Sequence, residues 1–117
     1  MNTNTVLVAF YESLNRDSSA PDNGVEDRQA FLDVARDELR SMVIEPIVVT
    51  AFSSEWARNY GEFEKESYEM IAVAAKGNSW LLYEPTSQMF SLARRNSVGK
   101  LILIGFRSDD ALAEWLG

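Results

Sequence analysis

From residue 68 to residue 107 the apolar positions fall into four short runs: 68–76, 79–84, 88–94 and 100–106. Between them stand Gly77-Asn78, Pro85-Thr86-Ser87 and Asn96-Ser97-Val98-Gly99. Short β-forming runs separated by turn-forming segments predict an antiparallel meander. Lys76-Gly77-Asn78 supports a tight hairpin, because glycine and asparagine tolerate a positive φ. Residues 70–75 and 101–104 are apolar on both faces, so these two strands are expected to be covered.

Ahead of the meander the pattern changes. Val6 to Tyr11 is a run of β-formers and predicts a first strand. Glu12 to Gly24, rich in Asn, Asp, Ser and Pro, predicts a loop. A helix is expected from about Glu26 to Met42, capped by Asn23 or Gly24, with Glu26 and Asp27 at the positive end of its dipole. Phe31, Val34, Ala35, Leu39 and Met42 recur at three- and four-residue spacings and make its apolar stripe. Asp33–Arg36 and Asp37–Arg40 are i,i+3 pairs on its solvated side, each contributing a few tenths of a kcal/mol. Ile47 to Phe52 reads as a strand, with Pro46 at its start or on an edge. Ser53 and Ser54 cap a short helix over Glu55–Tyr60, which Gly61 stops. Ser108-Asp109-Asp110 caps a closing helix, Ala111 to Leu116, packing Leu112, Trp115 and Leu116.

These elements predict an α+β fold: an antiparallel β-meander of about five or six strands packed against one long helix. Short helices precede the meander and end the chain. The 117 residues are expected to form one α+β domain, 1–117. No apolar run approaches the ~20 residues of a membrane helix. No basic residue precedes the first apolar run, so no secretory signal is expected. A cytoplasmic location follows as the expectation.

Charge and composition then narrow the chemistry. The chain has no cysteine and no histidine. That removes disulfides, thiolate metal sites and the cysteine nucleophile, together with Ser-His-Asp triads and most zinc centres. No pair of carboxylates has a spacing that identifies an acid and a base, so no catalytic residue, and no enzyme, is expected. The formal charge is −7. It is unevenly placed, with a net −8 over residues 1–69 and +1 over 70–117. Such a chain is repelled by nucleic acid and by anionic membranes, and a basic protein partner fits it better.

The most acidic stretch is 62–69, which alternates glutamate with aromatic residues. Read as a strand, it puts Glu62, Glu64 and Glu66 on one face, where three like charges need a positive partner or screening by water. A solvated edge is one reading, and a recognition surface for a basic partner is the other. No Asp-x-Asp-x-Asp-Gly loop accompanies these glutamates, so neither a metal nor a cofactor is expected. Trp56 and Tyr60, four apart, share a helix face; they either pack on the sheet or stand out as aromatic anchors. Arg94, Arg95, Lys100 and Arg107 form a modest basic region, read as pairing with the acidic half or as edge protection.

Two resemblances bear on function. Val6 to Arg16 is superficially similar to the opening of a flavodoxin, but the acidic loop that follows lacks the Thr-Gly pattern which cradles phosphate there. Trp80-Leu-Leu-Tyr-Glu-Pro85, Met89-Phe-Ser-Leu92 and the stretch from Ile104 to Leu116 resemble the end of SUKH-type and related bacterial immunity proteins. There a strand with a Trp-x-x-Tyr-x-Pro pattern hairpins into another, and a capped closing helix follows the last strand. The resemblance covers 68–117; the N-terminal half departs from it, lacking the Leu-Pro-x-x-Tyr and Gly-Gly elements. It implies a class of role and no individual binding residues. That role is a non-catalytic immunity protein or antitoxin, which neutralises a basic toxin domain by occluding its active site. The residues bet on as partner-binding are Glu62, Glu64, Glu66 and Glu69, with Trp56 and Tyr60 as anchors. The chain is expected to be a monomer or homodimer; the rival readings are a structural or regulatory subunit that self-associates through a sheet edge, and a small-ligand-binding domain with a pocket between helix and sheet.

Overall fold

The computed structural model describes residues 3–16, 18, 27–60 and 63–116, with the side chains of all of these except Thr3, Asn4 and Tyr60. Its elements are α1 (Thr3–Asn15), α2 (Arg28–Ser41), β1 (Val43–Ser53), α3 (Glu55–Tyr60), β2 (Ser67–Lys76), β3 (Ser79–Glu84), β4 (Met89–Arg95), β5 (Leu101–Leu103) and α4 (Ala111–Leu116). The class is α+β, and β2 to β5 run as the antiparallel meander that the turn residues dictate. Lys76 pairs with Ser79 across the two-residue turn, in which Gly77 takes a φ of 60°. In the second turn it is Gln88, not glycine, that takes the positive φ, 59°.

The sheet goes further than a meander. β1 pairs antiparallel with β2 along its length and parallel with β5 over Ala51–Ser53, which closes a five-stranded barrel. So few strands enclose a narrow bore. Ala51, Ala72 and Ala93 keep it passable, and Met70, Leu82, Leu101 and Leu103 fill it. Phe63 and Ala57, both 0% exposed, close the end where β1 and β5 finish. The closure is partial: among the described residues, 43–50 of β1 pair with β2 alone, which leaves that flank an open edge.

A second core lies outside the barrel. Ile71, Val73 and Ala74 of β2, Leu81 and Tyr83 of β3 and Phe90 of β4 face away from the bore. There α1, α2 and α4 cover them through Val6, Phe10, Leu14, Leu32, Leu39 and Leu112. Three helices, not one, thus complete the α layer.

Several expectations are corrected here. Val6 to Tyr11 is not a strand but the middle of α1, which also takes in Glu12–Asn15 from the expected loop. Val6, Phe10 and Leu14, at i, i+4 and i+8, are each 0–1% exposed, whereas Val8 is 54% exposed. That is the 3.6 period of a helix, and packing of this stripe overrides the β-propensity of the run. α2 starts at Arg28 with Asp27 as its cap, the carboxylate accepting from the Ala30 amide at 3.0 Å. The expected caps Asn23 and Gly24, like Glu26, lie outside the described residues. The buried stripe of α2 is Leu32, Ala35 and Leu39, with Phe31 and Met42 at its margins, and Val34 faces solvent. The pairs Asp33–Arg36 and Asp37–Arg40 form at 3.2 and 2.9 Å.

Strand β1 is longer than 47–52, and Pro46 falls where its register with β2 shifts, a place that tolerates a missing amide donor. α3 spans Glu55–Tyr60, and the Ser54 hydroxyl caps it by accepting from the Ala57 amide. β2 begins at Ser67, so Glu64 and Glu66 lie in the connection ahead of the strand and do not alternate along it. In α4, Asp110 caps by accepting from the Ala113 amide at 3.0 Å. Leu112 is buried and Trp115 partly so, but Leu116 points outward.

Candidate functional site

Where β1 and β5 end, the chain exposes two aromatic rings side by side. β1 hands over to α3 through Ser53 and Ser54, which places Trp56 at the start of the helix. β5 runs parallel to β1, so the segment after it, Ile104-Gly105-Phe106, emerges at the same end of the barrel. The Trp56 and Phe106 rings meet edge-to-face at 5.5 Å between centroids and 70° between planes. They remain 47% and 54% exposed, with Ile104 at 41%. Gly105, at φ 131°, makes this approach possible: a Cβ there would stand 2.5 Å from Trp56 Cζ3. Behind the rings a small hollow of about 230 Å³ is lined by Leu92, Ile104, Phe106, Ala113 and Glu114.

The carboxylates come to this end from β2. The Ser53 amide donates to the Glu66 carbonyl at 2.9 Å, and the Ser53 hydroxyl donates to the Lys65 carbonyl, so the connection 63–66 is strapped to the last residue of β1. The Lys65 amide donates to the Tyr68 hydroxyl at 3.0 Å. Arg58 bonds back to the Ser53 carbonyl at 3.0 Å. Glu64 and Glu66 are left exposed and make no ion pair with any described residue. Glu69 lies further along β2, opposite Thr50 and exposed. The structure therefore brings Trp56, Glu64 and Glu66 to one pole and sets Glu69 on its flank. Glu62 and the side chain of Tyr60 lie outside the described residues.

At the opposite pole lie cations. Lys76 and Ser79 close the β2–β3 turn, Arg94 and Arg95 end β4, and Lys100 leads into β5. The Arg95 amide donates to the Asn78 carbonyl at 2.8 Å, which joins the two loops. Arg95 stacks over Trp80 at 4.8 Å and Lys100 over Phe52 at 5.0 Å. The expected pairing with the acidic half does not occur for these three, Arg94, Arg95 and Lys100, among the described residues. Arg107 belongs elsewhere, bound to Glu84 at 3.3 Å near Glu64 and Lys65.

Sequence reading missed Phe106 and Ile104. The run 101–106 looks like one continuous strand, and the signal that it is not was Gly105. No group of three or more metal-ligating residues occurs among the described residues. No helix among them is long and apolar enough to cross a membrane. No protein-family model, curated protein or solved structure matches this chain.

Proposed function

We propose that the chain is a non-catalytic binding module of the immunity-protein or antitoxin kind, acting in the cytoplasm, which seats its acidic pole over the active site of a basic toxin domain. One observation carries this reading: an exposed aromatic pair, Trp56 and Phe106, stands at the same end of the barrel as the unpaired carboxylates Glu64 and Glu66. Protein interfaces concentrate binding energy in central aromatic anchors and use surrounding charge for steering. The missing histidine and cysteine weigh against catalysis in the same sequence.

The test begins with capture of the partner from lysate and secreted fractions. Glu64→Lys together with Glu66→Lys is then expected to slow association about tenfold or more at low salt and to leave dissociation little changed. Surface plasmon resonance reads both rates. Association rates equal to those of the parent chain would remove this pole from the interface.

The open edge of β1 favours a second reading, self-association through a sheet edge, because residues 43–50 leave one side unpaired among the described residues and Ile47 and Val48 are 55% and 65% exposed. Glu45 and Pro46 sit in that edge and oppose strand addition. Light scattering at two concentrations separates the readings: a constant monomer mass is expected, and a mass that doubles with concentration selects the edge.

A further inference from the structure

We propose that the cleft between α1 and the β3–β4 turn binds a small organic cation, an amine carried on an apolar body. The cleft has a volume of about 670 Å³, within the ~300–1,000 Å³ range of ligand pockets. Three separate irregularities converge on it. The first is Tyr83. The residue is 3% exposed and lines the cleft, and its hydroxyl hydrogen-bonds to no other described residue. A phenol on a cavity wall with no protein partner is free to bond a ligand atom. Burial raises the pKa of this phenol, so at neutral pH it stays protonated and can both donate and accept.

The second is Glu12. Its ordinary helical partner would be Arg16, four residues on. Arg16 is instead drawn across to Asp109, bonding the carboxylate at 3.2 Å and the backbone carbonyl at 3.3 Å. Glu12 is left at the cleft without an ion pair among the described residues. The cleft therefore carries one negative charge in excess. The third is Gln88, a non-glycine residue held at φ 59° on the cleft wall. Val8 and Phe90 provide an apolar wall beside these polar groups. An excess carboxylate, a phenol and an apolar wall select an ammonium group on a hydrocarbon body over an anion or a sugar.

Phenethylammonium chloride is the probe, followed by ¹H–¹⁵N correlation spectra of the full chain, with uncharged 2-phenylethanol as its match in shape. Millimolar binding is expected, with shifts confined to α1, Tyr83 and residues 88–90 and the alcohol about fivefold weaker or more. Glu12→Gln, at an exposed position, is expected to weaken the amine about fivefold and leave the alcohol unchanged. Tyr83→Phe is expected to weaken it about threefold with the spectrum otherwise preserved. The proposal is overturned by equal affinity for amine and alcohol, by shifts outside the cleft, by an unaffected Glu12→Gln variant, or by no shifts up to about 20 mM. The toxin-binding reading rests on Trp56, Phe106, Glu64 and Glu66, none of which lines the cleft, and survives any of these results.

Discussion

Replacing Phe10 with alanine is expected to lower the unfolding free energy by about 3–5 kcal/mol, a large part of the ~5–15 kcal/mol that a domain has in total. The ring is 0% exposed. It meets Tyr11 at 5.2 Å and Phe90 at 6.2 Å, both edge-to-face, in the core that joins α1, α2 and α4 to the outer side of the barrel. Truncation leaves a cavity bounded by three helices and a sheet, none of which can collapse into it alone. Val8→Ala, two residues away and 54% exposed, is expected to change stability by less than about 0.5 kcal/mol. Urea unfolding of both variants checks more than a contact. On a strand, positions 8 and 10 would share a face and cost alike; on a helix they lie 200° apart. Equal losses would overturn the helical assignment of α1.

That contrast explains why the sequence of α1 reads as a strand. Within the six residues Val6 to Tyr11 the composition is that of a strand. The residue that decides the matter, Leu14, lies outside the run, in a stretch that Asn15, Asp17 and Pro21 make look like a loop. Propensity is local, whereas burial of Val6, Phe10 and Leu14 together depends on the sheet they meet. α2 shows the same error in miniature: Leu32 and Val34 both fit a helical stripe, and only packing shows that Leu32 turns inward. The meander was legible because its turns are chemically marked, by Gly77-Asn78 above all. The parallel pairing of Ala51 with Leu101 was not, since two residues so distant in the chain leave no local sign of contact.

The site was legible in parts for the same reason. Trp56 and the glutamates at 64 and 66 stood out as residue types, and the strap from Ser53 to Glu66 puts them at one end. Phe106 did not stand out, because an apolar residue after a buried strand looks like more of the strand. The cations misled in the opposite direction. Opposite charges in the two halves of the sequence suggested pairing, yet antiparallel connectivity places Glu66 before β2 and Lys76 at its far end. A strand of that length holds them roughly 30 Å apart, at ~3.3 Å per residue. The carboxylates Glu64 and Glu66 and the turn cations Lys76, Arg94 and Arg95 therefore lie at opposite ends of the barrel.

Gly105→Ala tests how that aromatic end is built, and it is expected to cost about 2–4 kcal/mol. Part of the cost is backbone: φ is 131°, a region that residues with a Cβ rarely occupy. The rest is contact, because the added Cβ would lie 2.5 Å from Trp56 Cζ3 and 3.0 Å from Cε3. Trp56 is half exposed, so its ring can relieve the clash by swinging outward, which breaks the edge-to-face contact with Phe106 at 5.5 Å. The variant should therefore show a red-shifted tryptophan emission together with its lower melting temperature. Gly77→Ala is the control. Gly77 also has a positive φ, 60°, but nothing lies within 4 Å of where its Cβ would stand. It is expected to cost only the backbone part, about 1–2 kcal/mol, and to leave the emission unchanged. If the two variants melt alike, the clash with Trp56 contributes nothing and the rings are not locked together by this glycine. If Gly105→Ala is the worse of the two and also speeds dissociation of the captured partner, the glycine acts on binding through the position of Trp56.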